Sequence, residues 1–414
     1  MQANTIFYLF IGFIIVEFLV EKYLDWLNAK HFKDPVPVEL ADVYDTTSYQ
    51  KSQVYKAVNY RFEMLMSILS FVAILIILFL NGFAWLDQKV ESITLSAFWQ
   101  PMIFFGILLI ASAILSLPFA YYKTFVIEEQ FGFNQSTKKL FFIDQIKSLV
   151  INMILTGLML SVFIWFYRQF GKNFWWYAWL FFAGFIIFIN MFYTSLIVPL
   201  FNKLTPLPDG ELKEKLQTLA QKTRYRLDKI FVIDGSKRST KANAYFSGFG
   251  PKKKVVLYDT LIEDLSPDEI TAVLAHEIGH YKRRHIIYNL LLSILSTGIM
   301  LYLLSLVIDN HMLAQALGVS QPKFHINLIA FALLFTPVSF LTGLLTNWLS
   351  RKFEYQADTY AKQYHNAGDL ISGLKKLSRK SLSNLTPHPW YVIAHYSHPT
   401  LLQRIKALNL PQKR

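Results

Sequence analysis

Seven long apolar runs, at about 5–21, 64–85, 98–121, 148–167, 174–200, 286–308 and 326–349, constrain this chain more than any other feature of its 414 residues. Each is about the length an α-helix needs to cross a bilayer, where only a structure that satisfies its own backbone N–H and C=O groups can stand. Buried core helices of a soluble domain are the competing explanation, and they fail on number and length. The composition agrees: 53% hydrophobic with 17% charged residues is greasier than an ordinary soluble domain of this size. The first run is the weakest, being short and interrupted by Glu17, and it has the look of a signal peptide. No small-residue cleavage site follows it, and Glu21-Lys22 ends it instead.

Charge tests the count independently. With seven crossings the two termini lie on opposite sides, and 37 of the 41 Lys and Arg residues then fall on one of them. The two largest basic segments are long polar domains and carry less weight, but the short loops alone keep the same sign. The positive-inside rule therefore predicts a multi-pass protein with its amino terminus outside and its carboxyl terminus in the cytoplasm. The net charge of +13 reads as topology and attraction to an anionic leaflet of the lipid bilayer. No aromatic-basic module accompanies it, so no nucleic-acid partner is expected. The absence of cysteine excludes disulfides, thiolate ligands and a cysteine nucleophile, leaving His, Asp and Glu as strong ligands. It also tilts the expected location toward a bacterial inner membrane rather than the endoplasmic reticulum, as does the tail Pro411-Gln412-Lys413-Arg414, which lacks the usual dilysine placement.

The expected organisation is a mainly α polytopic membrane protein in four stretches. Residues 1–200 hold five membrane helices, 201–285 the first part of a small α+β domain, 286–349 two more membrane helices, and 350–414 the second part of that domain. Within the first polar block, Lys213 to Tyr225 reads as a helix and Ile230-Phe231-Val232-Ile233 as a strand. Asn243 to Ser247 and Lys254 to Tyr258 are two further strands, joined by Gly248-Phe249-Gly250-Pro251. The second block opens with a helix from about Ser350 to His365 and closes with one around Pro399 to Leu408.

The chemistry sits where the first block meets the sixth run. Ser266-Pro267-Asp268-Glu269 is a capping-box start with proline at the first helical position, and Ile270, Val273, Leu274 and Ile278 follow at helical spacing. On that helix His276-Glu277-Ile278-Gly279-His280 puts two imidazoles four residues apart on one face, able to reach a single Zn²⁺, with Glu277 placed to act on a water at the metal. Catalytic zinc sites use three protein ligands and keep one position open. The strongest third ligand is Glu354, in Phe353-Glu354-Tyr355-Gln356-Ala357-Asp358, where the seventh run returns the chain to the side of the first motif. Glu354 and Asp358 share a helix face, so one can bind metal while the other accepts a ligand histidine's N–H. The bland alternative for Glu354 is a solvated carboxylate paired with Lys352 or Lys362. His398, before Pro399, qualifies as a hydrogen-bonding or cationic group for charge building on a carbonyl oxygen. His285, His388 and His395 are expected to be interfacial or structural.

These strings, together with Asn243-Ala244-Tyr245-Phe246, Ser397-His398-Pro399 and the seven-span layout, resemble the type I CAAX prenyl proteases, the membrane zinc endopeptidases that include the sterile-mating-type a-factor convertase, over nearly the whole chain. The resemblance implies a gluzincin-like zinc protease domain with one Zn²⁺ held by His276, His280 and Glu354. It also implies Glu277 as general base, Asp358 supporting the ligands, His398 as transition-state stabiliser and Asn243, Ala244, Tyr245 and Phe246 as an edge strand along which a substrate peptide lies. In eukaryotes this family removes the last three residues of prenylated proteins ending in a CAAX box, and its helices surround a large intramembrane chamber. The expected partner is thus a peptide or protein substrate, prenylated or not, and the expected source is bacterial. Two alternatives remain at this point: a heat-shock-type membrane quality-control protease, which shares the metal motif in a shorter chain, and a transporter or channel with a non-catalytic metal site.

Overall fold

Seven helices carry the apolar runs in the computed structural model of the chain, which describes residues 2–227, 229–247 and 254–411. They are α1 (Ala3–Lys30), α2 (Thr46–Phe79), α3 (Trp99–Tyr122), α4 (Lys138–Phe170), α5 (Phe174–Leu196), α8 (His285–Val307) and α9 (Phe324–Tyr364). Helices α4 and α5 form one 64-residue apolar helical stretch with its continuation to Phe201, folded back at Gly171 (φ 50°). The short first run is thus part of a helix of 28 residues. In the apolar windows of α2 and α3 only 6% of residues are buried, so most of their greasy side chains face outward from protein contacts, as lipid-facing surfaces do. Asn190, one of the polar residues inside the runs, bonds the carbonyl of Ile186 in its own helix rather than a neighbouring one.

Two runs end earlier than expected, for local reasons. Asn81 adopts φ 51°, a left-handed conformation that asparagine tolerates, and 82–85 then belong to a separate helix, Gly82–Ile93. Pro199 likewise sits in a separate turn, Val198–Phe201, after α5 has ended at Leu196.

The polar blocks build one small domain. Strands β1 (Leu204–Pro206), β2 (Ile230–Ile233), β3 (Ala244–Ser247) and β4 (Lys254–Tyr258) form a sheet in the order β1-β2-β4-β3. The β2/β4 pair is parallel and the outer pairs antiparallel, with Ala244 opposite Leu257 and Tyr245 opposite Val256. Strand β1 was not expected: three residues containing a proline carry no alternation to read. The connection 248–251 expected between β3 and β4 lies outside the described residues.

Beside the sheet α6 (Glu211–Lys222) packs on α7 (Pro267–Lys282), and α7 carries α10 (Ala367–Lys380), which in turn meets α11 (Leu401–Asn409). Leu216, Leu257, Leu261, Ile270, Leu274 and Ile278 are almost fully buried between them and the end of α9. Each such side chain contributes roughly 1.5–3 kcal/mol on burial. Helix α9 runs 41 residues without a break, so the expected 349/350 boundary lies inside it. A single rigid rod carries the chain out of the apolar layer and into the domain core. The loop after α1 clasps the domain from the other side. Leu40, Val43 and Tyr44 pack with Leu382, Leu385 and Ile405, and the Tyr44 hydroxyl donates to the Ser378 carbonyl at 2.9 Å.

Candidate metal centre

Helix α7 starts where its sequence says it should. The Ser266 side chain accepts from Glu269 N–H at 3.3 Å while Glu269 accepts from Ser266 N–H at 2.8 Å, which satisfies two donors that a helix start leaves unpaired. Glu269 is anchored further by Ser372 at 2.6 Å and Lys376 at 2.8 Å from α10. Ile270, Leu274 and Ile278 then turn one side of α7 into the core, which fixes the direction in which His276 and His280 project.

Gly279 sets the distance to α9. A Cβ at that position would lie 3.0 Å from the Ala357 Cα and 3.0 Å from the Tyr360 Cβ, so the two helices approach as closely as they do only because residue 279 has no side chain. That approach brings the motifs together. His276 Nε2 lies 3.2 Å from His280 Nε2 and 3.4 Å from Glu354 Oε2, and His280 Nε2 lies 3.1 Å from Glu354 Oε1. These three residues are the group of convergent donors able to hold a metal ion among the described residues. Glu354 is 5% exposed and its Oε2 makes no hydrogen bond, so it is not the solvated surface carboxylate of the bland alternative. Lys362 is occupied with the Leu408 and Leu410 carbonyls instead.

Each imidazole is steered from behind. His276 Nδ1 lies 2.8 Å from Asp358 Oδ1 and donates to it, leaving Nε2 as the lone-pair nitrogen at the convergent point. Asp358 is itself gripped by Arg404, through Nε at 2.9 Å and Nη2 at 2.6 Å. His280 Nδ1 lies 3.1 Å from His285 Nδ1, and His285 Nε2 lies 2.8 Å from Gln356 Oε1. Because Gln356 Oε1 only accepts, His285 carries its proton on Nε2 and accepts on Nδ1, so His280 donates from Nδ1 and keeps Nε2 free. Burial works against charge on His276, but the Asp358 and Glu354 carboxylates outweigh it, and in the protein alone His276 is pushed up to about 9. The site wants positive charge.

His398 Nε2 stands 3.3 Å from Glu354 Oε1, with its side chain 63% exposed and its Nδ1 2.9 Å from the Ser397 hydroxyl. A cleft of about 300 Å³ runs past these groups, walled by His276, Glu277, Glu354, His398 and Arg404 on one side and by Asn243 and Ala244 on the other. Of the expected edge strand, Asn243 and Ala244 border the cleft. Tyr245 and Phe246 continue along β3, paired to β4 by backbone, and Tyr245 does not line the cleft. β3 is the sheet's last strand, so its outer edge is unpaired among the described residues.

Three supports escaped the sequence reading. Arg404 sits beside Ile405 and four residues before Leu408 on the buried face of α11, and a charge on an apolar face is the signal that would have found it. His285 was expected to be structural, and its stacking on Phe353 at 4.2 Å is so, but it also holds His280. Gln356 gave no signal beyond lying between Glu354 and Asp358. His388 and His395 are structural as expected: the first caps Pro389–His395 by accepting from Trp390 N–H, and the second lies 3.4 Å from Glu21.

Comparison with known proteins bears on both halves of the chain. Residues 25–203 match the family model for the CAAX prenyl protease N-terminal region with five membrane helices, and residues 206–412 match peptidase family M48. The chain is 35% identical to CAAX prenyl protease 1 of Saccharomyces cerevisiae, over 96% of this chain and 94% of that one. It is 32% identical to the human CAAX prenyl protease 1 homolog, over 90% of this chain and 88% of that one. The crystal structure of S. mikatae Ste24p superposes with a TM-score of 0.93 at 35% identity, covering 99% of this chain and 100% of the other. A multi-pass membrane protein with a metal-dependent peptidase domain, acting on peptide or protein substrates, is what these likenesses and the seven apolar helices describe together. The chain belongs to peptidase family M48, in its membrane CAAX prenyl protease branch.

Proposed function

We propose that the chain is a zinc endopeptidase that cleaves near the carboxyl terminus of prenylated CAAX proteins at the cytoplasmic membrane face, with one Zn²⁺ held by His276, His280 and Glu354. Nitrogen and oxygen ligands at about 2.0–2.2 Å in tetrahedral directions stand roughly 3.3 Å apart. The two imidazole nitrogens stand 3.2 Å apart, with one Glu354 oxygen 3.4 Å from His276 and the other 3.1 Å from His280, and this convergence near ligand spacing is the observation that carries the reading. Zinc bound there supplies a Lewis acid and makes a neighbouring water acidic near neutral pH.

The chain's own groups do the rest. Glu277, on the cleft wall, takes a proton from the attacking water and returns it to the leaving amine. The Ser397 hydroxyl donates to His398 Nδ1, which leaves His398 Nε2–H aimed into the cleft as a donor for charge on the scissile carbonyl oxygen. Asp358, through His276, and His285, through His280, keep the two imidazoles in the tautomer that presents Nε2. The outer edge of β3 offers the Ala244 carbonyl to an extended peptide, the Ala244 N–H being held by Asn243 Oδ1 at 2.8 Å and the Asn243 carbonyl by Tyr258 N–H, so substrate can be aligned with little demand on its side chains. The basic loops favour a cytoplasmic position for this domain and an outside amino terminus.

Glu277→Gln in purified protein, assayed on a farnesylated CAAX peptide and on an unrelated apolar peptide, tests the assignment. Cleavage is expected to fall by roughly 10²–10⁴-fold while zinc content stays at wild-type level. Equal cleavage by variant and wild type would sink the mechanism. Cleavage of the unrelated peptide alone would keep the chemistry and remove the CAAX substrate.

A further inference from the structure

A lysine with no acid beside it is buried next to the cleft. Lys56, in the polar first third of α2, is 8% exposed. Its Nζ donates to Asn384 Oδ1 at 3.1 Å, and the rings of Tyr49 and Phe32 stand at 5.8 and 6.0 Å. Among the described residues no carboxylate reaches it within 4.0 Å. It faces a cavity of about 280 Å³ whose only other charged walls, Asp25 and Glu63, are already met by Lys22 at 2.5 Å and Lys123 at 3.2 Å. An ammonium held out of water with only neutral partners costs several kcal/mol, and an anion that reaches it offsets that cost.

The position of that cavity says which anion. Ser381 and Ser383 form a wall of both it and the metal cleft, so the two spaces adjoin. Arg404, the cation inside the metal cleft, is engaged by Asp358 and lies 3.6 Å from Glu354. Lys56 is therefore the one lysine or arginine in these two spaces left to a ligand, among the described residues. A peptide aligned on β3 and cut at the metal still has its leaving fragment to place. Three extended residues span about 10 Å, a length that can pass from one of these adjoining spaces into the other. Beside Lys56 the cavity carries the amides of Asn28 and Asn384, donors that suit a carboxylate.

We infer that Lys56 binds the free C-terminal carboxylate of the substrate, through the cavity that adjoins the metal cleft at Ser381 and Ser383. The inference rests on the proposed C-terminal cleavage and adds a ruler to it. Fixing the terminal carboxylate at Lys56 and the reacting peptide bond at the metal sets how many residues are released. A strand edge alone cannot count, since backbone pairing is the same at every register step.

The test compares one farnesylated CAAX peptide as its free acid and as its C-terminal amide. Wild type is expected to cleave the acid with a kcat/KM about tenfold or more above the amide, the usual weight of a hydrogen bond to a charged group. Lys56→Met collapses that ratio to near one, and Lys56→Arg retains most of it. Asn384→Asp, which hands Lys56 an internal carboxylate, lowers the ratio in the same direction and serves if Lys56→Met does not fold. A wild-type enzyme indifferent to amidation, or a Lys56→Met enzyme with the wild-type ratio, would overturn the inference. If wild type cleaves only an unrelated apolar peptide, the CAAX reading fails by itself. The acid and amide forms of that peptide, ending three residues past its cut, then decide Lys56 separately.

Discussion

Both ends of α9 bury an aspartate against a histidine, and only one end has donors left for a metal. At the amino-terminal end Asp87 lies 2.8 Å from His325 Nε2 and 2.8 Å from Lys323 Nζ. Lys323 also reaches Glu91 at 3.1 Å, and the Phe104 ring packs on His325 at 4.6 Å. The charges close on themselves, and His325 Nδ1 meets no partner. At the carboxyl end Asp358 holds His276 with the same 2.8 Å contact and Arg404 answers its charge, but a second imidazole and a second carboxylate converge on the far nitrogen. An Asp–His pair is thus an orienting device at one end and a structural lock at the other. What distinguishes the centre is the surplus of donors beyond the pair.

Removing the aspartate should separate the two ends. Asp87→Ala leaves His325 buried without its carboxylate and Lys323 with Glu91 alone, and is expected to cost roughly 3 kcal/mol, read as a lowered thermal midpoint of the solubilised protein. Metal content per folded molecule should stay unchanged. Asp358→Ala should weaken metal retention by about 10–100-fold on dialysis against a chelator, and it should lower the midpoint as well, because buried Arg404 loses the carboxylate that grips it. Undiminished metal in that variant would remove Asp358 from the site. A midpoint unmoved by Asp87→Ala would show that the distal cluster locks nothing.

The support of His280 is the weaker of the two, because His285 is a neutral acceptor where Asp358 is a charged one. His285→Ala is accordingly expected to weaken metal retention by about tenfold, the low end of the range for such outer contacts. Replacement of Gln356 by Glu should leave retention near wild type, since a carboxylate still accepts from His285 Nε2. Loss as large as that of Asp358→Ala would mean that His285 does more than hold a tautomer.

The contrast also explains what could be read from the residues in advance. Both halves of the metal set lie at i and i+4 on helices with strong local signals, so His276, His280, Glu354 and Asp358 were legible from spacing and from the topology that returns the chain to one side. The seven membrane helices were legible for the same reason: each satisfies its own backbone. Arg404 and His285 were not, because their roles depend on which helix packs against which. Nor was Lys56, whose meaning comes from what is missing around it. Gly279 lay inside the motif, yet only the approach of Ala357 and Tyr360 shows why a side chain is excluded there. Strand β1 is three residues paired only through β2, too short for alternation to appear.

The smallest expected effect lies at the start of α7, where Glu269 repeats the distal logic of a buried carboxylate met by a lysine. Burial alone would raise its pKa, but Lys376, Ser372 and the Ser266 N–H overcome this and hold it below the ordinary glutamate value of 4.5. A depressed carboxylate stabilises the fold above its unfolded pKa, and that stability is lost as pH falls through the folded value. Glu269→Gln keeps an acceptor for Ser266 N–H and removes the charge. The gap between wild type and variant should therefore be about 1 kcal/mol at pH 7 and shrink as the pH drops below about 4.5. Thermal midpoints of both proteins across pH 4–7 measure it. A gap that stays constant to pH 4 would mean that the helix start is held by packing and the neutral cap rather than by the lysine, and the likeness to Asp87 would end there.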